Sequence, residues 1–162
     1  MIFVAVGTQK FQMNRLLRKI DNLISDGLVK EKVFAQIGHS DYIPQNYEYR
    51  KFLSKAEFEE CVRKCELLIT HSGVATIMLG LKSKKTVIVV PRLEKYNEHV
   101  DDHQLQIAEA FFKQKFVLMC GEKDDLGEIM AEAKSHMFCE YESNRQNVIK
   151  TISDFLDIWS GK

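Results

Sequence analysis

The sequence predicts an α/β fold, a Rossmann-like three-layer sandwich with a mainly parallel sheet, formed by one domain over residues 1–162. Short apolar runs alternate along the chain with longer segments whose apolar residues recur at helical spacing. The clearest example is the stretch 67–91, in which a short apolar run, a turn, a helical segment and a β-branched run closed by Pro91 follow one another. This is the order of a parallel β-α-β unit, and it indicates the class of the whole fold.

The amino-terminal part begins with the same kind of unit. Residues 2–6 are predicted to form a strand, and Gly7 and Thr8 form its turn. Residues 11–24 follow as an amphipathic helix, which ends near Gly27. The sheet should therefore contain a second strand whose turn lies at the same edge as the turn after residue 70.

The remaining elements are predicted from the same two periodicities. They are strands at 33–37, 47–52 (a short edge strand), 67–70, 86–90 and 116–119, and helices at 54–64, 74–81, from Asp101 or Asp102 to 113, 126–133 and 147–159. The helix at 54–64 has the clearest start, because Ser54 and Glu57 have the spacing of a capping box.

Composition excludes several classes of partner and predicts a soluble, cytoplasmic protein. Lys+Arg and Asp+Glu both number 23, so the formal net charge is zero and nothing favours nucleic acid or an anionic membrane surface. No apolar run approaches the roughly 18 residues of a membrane span, and no basic leader is recognisable. The four cysteines lack paired metal-ligand spacing, so they are expected to be reduced structural thiols.

The turn His71-Ser72-Gly73 is the strongest candidate site. A helix that follows a strand presents unpaired N–H groups and partial positive charge, which suits a phosphate. Ser72 could cap this helix, Gly73 would let a ligand approach the backbone, and Thr76 would present its hydroxyl one turn into the helix. The other interpretation is a capped helix start with no ligand.

The histidines and acids near the same edge have two interpretations each. His71 is either a proton donor to a leaving phosphate or a satisfied core histidine. Glu98 and His99 either contact a sugar or acceptor or are solvated residues before a helix. Arg92 could pair with phosphate or with a carboxylate. His99 and His103 have i, i+4 spacing, but no third ligand accompanies them, so no metal site is predicted.

Three segments in this order carry a resemblance to a known family: S-G-V-A-T after a strand, V-I-V-V-P after the next helix, and D-D-H-Q-L-Q-I-A at the start of another helix. Together with the opening V-A-V-G-T and the E-H-x-x-x-H-Q segment, they resemble the carboxyl-terminal, donor-binding half of family 28 glycosyltransferases with the GT-B fold. The resemblance is greatest to stand-alone versions of this half, such as bacterial exopolysaccharide proteins and the catalytic subunit of the dolichol-linked UDP-GlcNAc transferase.

The resemblance implies a UDP-sugar donor, no cofactor and no metal, and assigns residue roles. The diphosphate would lie against Ser72, Gly73, Val74 and Thr76, with Gly7 and Thr8 on its other side; Arg92 belongs to the donor-binding set, and His103 and Gln104 would meet the sugar. Relatives carry an acidic residue for the ribose three positions beyond the motif threonine, where this chain has Leu79. Ribose contact must therefore come from elsewhere.

The resemblance also implies a missing partner, because a GT-B active site lies between two such domains. The partner would be a membrane-anchored subunit that carries the acceptor-binding half and holds this chain at the inner face of the cell membrane. The expected function is transfer of a sugar to a lipid-linked acceptor in exopolysaccharide or capsule biosynthesis. Two alternatives stay open: a non-catalytic enhancer subunit of such a transferase, and an unrelated Rossmann-like nucleotide-binding protein.

Overall fold

A computed structural model describes residues 1–139 and 141 of the chain. Its six strands form one sheet with every neighbouring pair parallel, which confirms the predicted fold class. The strands are β1 Ile2–Ala5, β2 Val33–Gln36, β3 Glu48–Arg50, β4 Leu67–Thr70, β5 Thr86–Val89 and β6 Leu118–Met119. Their order in the sheet is β3-β2-β1-β4-β5-β6. The edge strand predicted at 47–52 is β3, and its three residues are exposed.

The helices also follow the predicted sequence of elements. They are α1 Asn14–Ser25, α2 Lys55–Lys64, α3 Val74–Lys82, α4 His103–Lys113 and α5 Leu126–Glu132. The predicted capping box of Ser54 and Glu57 is present at the start of α2. The helix predicted at 147–159 lies outside the described residues. Among those that are described, no helix has the length and apolar content needed to span a membrane.

The first helix begins three residues later than the predicted start at residue 11, and tertiary contacts explain the difference. The backbone N–H of Met13 donates to Ser40 Oγ and that of Asn14 donates to Gln12 Oε1. The carbonyl groups of Phe11 and Gln12 accept from the Arg92 guanidinium. Residues 11–13 are thus held as the end of a loop whose partners are distant in the sequence.

Successive side chains of the central strands are buried on opposite faces of the sheet, as a doubly wound fold requires. Ile2, Val4 and Val6 pack with α1 and α5 on one face. Phe3 and Ala5 pack with α2, α3 and α4 on the other. The middle layer is consequently shielded on both sides, and the loops at its carboxyl edge are the part that can meet a ligand.

The strand order reverses between β1 and β4. These two strands are neighbours in the sheet, although 61 residues lie between Ala5 at the end of β1 and Leu67 at the start of β4. The chain leaves β1 toward β2 on one side and leaves β4 toward β5 on the other. Helices on opposite faces of the sheet therefore follow these two strands, and a crevice forms where they diverge. The turns that contain Gly7 and Gly73 flank this crevice.

Candidate functional site

Two glycines allow the turns after β1 and β2 to lie against each other. Gly7 and Gly38 both have a left-handed backbone, with φ of 84° and 56°. A Cβ atom at Gly38 would overlap the carbonyl oxygen of Gly7. Since side chains are disfavoured at both positions by conformation and by space, backbone forms this wall of the crevice.

His71 lies between the turns after β1 and β4. A Cβ atom at Gly7 would lie 2.6 Å from His71 Cε1, and a Cβ atom at Gly73 would lie 2.5 Å from His71 Nε2. The imidazole is only 8% exposed, and its Nδ1 lies 3.3 Å from the carbonyl oxygen of Ala5. The absence of side chains on Gly7 and Gly73 is what makes room for this ring.

The surroundings of the buried imidazole lower its pKa. Burial lowers the pKa of His71 to about 4, and the nearby positive charge of Arg92 acts in the same direction. The hydrogen bond with Ala5 favours the charged form but is outweighed. At neutral pH the ring therefore packs as an uncharged group beside the crevice.

The amino terminus of α3 opens at this point without a side-chain cap. Its N-cap residue is Gly73, and no side chain accepts from its first amides. The other four helices that the structure describes have an oxygen acceptor near their start: Gln12 for α1, Ser54 for α2, Asp101 for α4 and Asp125 for α5. The first N–H groups of α3 are therefore available to an anion.

Ser72 does not cap α3, so that prediction is wrong. The helix begins at Val74, which leaves Ser72 one position too early, and its backbone N–H donates to Gln104 Oε1 at 3.2 Å. The hydroxyl is buried and has no hydrogen-bond partner among the described residues. A buried hydroxyl without a hydrogen-bond partner lowers the stability of the fold. The Ser72 hydroxyl belongs to the residue that precedes the N-cap Gly73 of α3.

Gln104 joins the turn after β4 to the loop after β5. Its Oε1 accepts from the backbone N–H of Ser72 and from that of Arg92, at 3.2 and 3.3 Å. The side chain is 6% exposed and lies in the first turn of α4. Because the oxygen is occupied, the amide nitrogen is the part of this side chain that can donate to a ligand.

Arg92, which the resemblance placed in the donor-binding set, is buried and bonded to backbone carbonyl groups. It is 1% exposed, and its guanidinium donates to the carbonyl groups of Val6, Phe11, Gln12 and Glu98. These bonds fix the loop after β1 against the loop after β5. The structure thus gives Arg92 a positioning role behind the site.

Glu98 is fully buried in an ion pair that the sequence did not reveal. Its carboxylate accepts from Arg15 Nε at 3.1 Å and Arg15 NH2 at 2.9 Å, and also from the backbone N–H of Leu93. Contact of Glu98 with a sugar or acceptor is not available in this arrangement. Arg15 lies on the polar side of α1, where the sequence pattern is that of a solvated arginine. Its partner Glu98 is 83 positions away, so no local pattern indicates the pair.

His99 and His103 lie outside the turn that contains His71. His99 contacts Asp101 Oδ1 at 2.9 Å and packs beside Phe11, while His103 is exposed and contacts Gln106 at 3.3 Å. Within residues 1–139 and 141, no three metal-ligating side chains converge. The two imidazoles contact different side chains, Asp101 and Gln106.

The remaining residues predicted for the site are accessible. Thr8, in the turn after β1, is exposed. In the first turn of α3, Val74 is exposed and Thr76 is half-buried. The structure therefore brings Gly7, Thr8, the 71–76 segment and Gln104 to one edge, with Arg92 and Glu98 behind it. His103 is on the outer side of the same helix start.

Comparison with protein families gives one extended match. The model of the glycosyltransferase family 28 C-terminal domain matches residues 1–157. This match covers all six strands and the whole of the candidate site.

Two curated proteins are similar to the chain. One is the UDP-N-acetylglucosamine transferase subunit ALG13 of Homo sapiens, with 25% identity over 126 residues, and the other is the subunit of the same name from Yarrowia lipolytica, with 31% over 68 residues. The matches cover 74% and 42% of this chain. They cover only 11% and 33% of the relatives, so the chain corresponds to a minor part of each.

Solved structures share the fold at low sequence identity. The crystal structure of the glycotransferase of kitacinnamycin matches with a TM-score of 0.61 and 18% identity, over 84% of this chain and 35% of the other. The solution NMR structure of ALG13 matches with a TM-score of 0.58 and 17% identity, over 93% of both chains. The fold is thus that of one half of a GT-B glycosyltransferase.

Proposed function

Because the chain belongs to the glycosyltransferase family 28 C-terminal domain family, we propose that it is the donor-binding subunit of a two-component glycosyltransferase. The donor is a UDP-sugar, and the names of the similar curated proteins favour UDP-N-acetylglucosamine. The acceptor is a lipid-linked molecule held by the partner. The exopolysaccharide or capsule pathway stays a prediction from the sequence, since the curated relatives are named for a different transferase.

The observation that carries this proposal is the uncapped start of α3 at the point where the strand order reverses. A diphosphate there would accept from the free amides of α3 and would lie in the partial positive charge of the helix. Gly7 and Gly73 place no side chain between this position and the His71 ring, which packs against both glycines. The unpartnered hydroxyl of Ser72 and the half-buried hydroxyl of Thr76 are the side-chain donors nearest to this position in the chain.

The sugar would extend from the diphosphate toward the start of α4. Gln104 is held there by two backbone N–H groups, which leaves its amide nitrogen to donate to a sugar hydroxyl. His103, on the same turn, is exposed and offers a second polar group. A rigid amide and an adaptable imidazole would together fix which face of the sugar meets the acceptor.

The chemistry is displacement of UDP from the anomeric carbon by an acceptor hydroxyl. The bond from that carbon to the phosphate oxygen breaks, and the amides of α3 stabilise the charge that develops on the departing diphosphate. Glu98 has its carboxylate engaged by Arg15 and is fully buried, so it is not the base that deprotonates the acceptor. That base is assigned to the partner subunit, which also excludes water from the cleft.

The partner would face the carboxyl edge of the sheet. Val74 and Val100 expose 48% and 66% of their surface in the segments that border the candidate site. These apolar side chains suit burial against a second subunit. A membrane anchor on that subunit would bring the donor site to a lipid-linked acceptor.

Calorimetric titration with UDP-N-acetylglucosamine, UDP-glucose, GDP-mannose and dTDP-glucose tests the donor class. Binding of a UDP-sugar, with weaker or absent binding of the other two nucleotides, is expected. Failure of all four to bind would remove the proposal. An enhancer subunit would bind donor without using it; in that case the Ser72→Ala change would weaken binding but leave transfer by the assembled complex unchanged.

A further inference from the structure

We propose that His71 takes up a proton when the sugar nucleotide binds, so that its Nε2–H donates to the diphosphate. The inference rests on the proposed donor site and adds a proton to its binding equilibrium. It makes His71 a group with two states, uncharged in the empty site and an imidazolium in the occupied one. The proton returns to solvent when the nucleotide leaves.

The contacts of Nδ1 determine which nitrogen of the neutral ring carries the hydrogen. Nδ1 lies 3.3 Å from the carbonyl oxygen of Ala5, which can only accept, and 3.4 Å from Thr70 Oγ1. The Thr70 hydroxyl already donates to the same carbonyl at 2.9 Å. The hydrogen of the neutral ring therefore belongs on Nδ1, and Nε2 carries a lone pair.

Nε2 lies against the two glycine turns that border the proposed diphosphate site. Cβ atoms at Gly7 and Gly73 would lie 2.7 and 2.5 Å from Nε2, so this nitrogen faces both glycine turns. Gly73 is the residue that precedes the free amides of α3. Among the described residues, Nε2 has no hydrogen-bond partner. A lone pair directed toward phosphate oxygens is repulsive, whereas a protonated Nε2 donates a charge-assisted hydrogen bond.

The charges around the ring explain why the proton comes with the ligand. Arg92 and His99 are the titratable groups that face His71 from the loop after β5, and both disfavour its charged form. Each is offset by its own partner: Arg92 bonds to the Glu98 carbonyl and lies near its carboxylate, and His99 contacts Asp101. No carboxylate contacts His71 itself among the described residues. The negative charges of a bound diphosphate would favour the protonated form of His71 and raise its pKa.

Proton uptake can be measured directly by calorimetry of the full chain with UDP-N-acetylglucosamine. Titrations at one pH in buffers of different ionisation enthalpy give the number of protons bound per nucleotide. The diphosphate of a sugar nucleotide stays fully ionised between about pH 6 and 8, so it does not contribute to the count. Uptake approaching one proton is expected, with affinity falling by up to about tenfold per pH unit as pH rises.

Two variants make the assignment specific. His71→Gln keeps a long side chain with a terminal donor but cannot titrate, so proton uptake should vanish and affinity should become independent of pH. His136→Gln makes the same change four residues beyond α5, where the imidazole contacts Glu132, and should leave uptake unchanged. Nitrogen-15 NMR of the imidazoles in the unmodified protein, with and without nucleotide, gives the same answer without a variant.

The outcomes separate the two proposals. Binding without proton uptake, or uptake that persists in His71→Gln, would overturn this inference and leave the donor site intact. A nucleotide-induced shift of a different imidazole in the NMR spectrum would also overturn it. Absence of any binding by the UDP-sugar would instead remove the donor site on which the inference rests.

Discussion

Arg15 and Glu98 face each other in a two-bond ion pair, with Nε–Oε1 and NH2–Oε2 distances of 3.1 and 2.9 Å, although they belong to α1 and the loop before α4. The arginine side chain is 17% exposed and the carboxylate 0%. Arg15 NH2 also donates to the carbonyl of Pro91. The pair therefore fixes the loop after β5, which carries Arg92 and leads to Gln104, against the first helix.

Glu98→Ala should lower the free energy of unfolding by about 3–5 kcal/mol, because it leaves Arg15 without its carboxylate and removes the negative charge that favours the charged form of the buried Arg92. Urea unfolding measures the loss. Lys55→Ala is the control, since its pair with Glu59 is exposed and 3.9 Å long and should contribute under about 1 kcal/mol. Equal stability of Glu98→Ala and the unmodified protein would contradict the assigned role.

Gly73→Ala should abolish binding of the UDP-sugar while the secondary structure is retained. The added Cβ would lie 2.5 Å from His71 Nε2, so the ring or the start of α3 must shift. Calorimetry and far-UV circular dichroism measure the two effects. Gly27→Ala is the matched control: its φ of 71° makes the change costly, but nothing lies within 4 Å and the affinity should stay the same.

Ser72→Ala should separate stability from binding. The hydroxyl has no partner, so its removal should leave the melting temperature unchanged or slightly higher. If the hydroxyl meets the diphosphate, affinity for the UDP-sugar should fall by about five- to thirtyfold, which corresponds to about 1–2 kcal/mol. Ser83→Ala, at the other end of α3, should change neither quantity. Full affinity in Ser72→Ala would exclude this hydroxyl from the site.

Gln104→Glu should weaken donor binding at neutral pH by about tenfold or more. The carboxylate still accepts from the N–H groups of Ser72 and Arg92, but it cannot donate and it places negative charge near the diphosphate. Gln114→Glu introduces the same charge at the exposed end of α4 and should have little effect. Calorimetry on both variants decides between a general charge effect and a local one.

Asp21 should make the stability depend on pH. Burial alone would raise the pKa of its carboxyl, but hydrogen bonds from Tyr42, Gln45 and Asn46 outweigh burial and hold the pKa below its ordinary value. A lowered native pKa stabilises the protein above the unfolded value of about 3.9, and this contribution is lost as pH falls through the native value.

Asp21→Asn should therefore cost about 2–3 kcal/mol at neutral pH and progressively less below about pH 4. Urea unfolding across the acid range measures the convergence. Asp26→Asn, at the exposed end of α1, provides the comparison. If the free energies of unfolding of Asp21→Asn and of the unmodified protein changed in parallel with pH, the Asp21 carboxylate would make no contribution to the pH dependence of stability.

Most of the architecture could be predicted from local patterns. Strands such as Leu67–Thr70 and helices such as Lys55–Lys64 have periodicity and caps that are set by neighbours in the sequence, and the structure confirms them. The order of the strands in the sheet was not predicted: the rule of right-handed parallel connections restricts it, and the structure supplies it. The predicted start of the first helix failed because the groups that hold residues 11–13 are Ser40 and Arg92.

The sequence by itself determined that the turns after β1 and β4 meet at one edge, because parallel strands end on the same side of a sheet. Only the tertiary structure decided what each polar residue does there. It buried Glu98 against Arg15, turned Arg92 toward backbone carbonyls, removed Ser72 from the cap and enclosed His71 between two glycines. The physical reason is that burial and ion pairing depend on residues far apart in the chain, which no local pattern records.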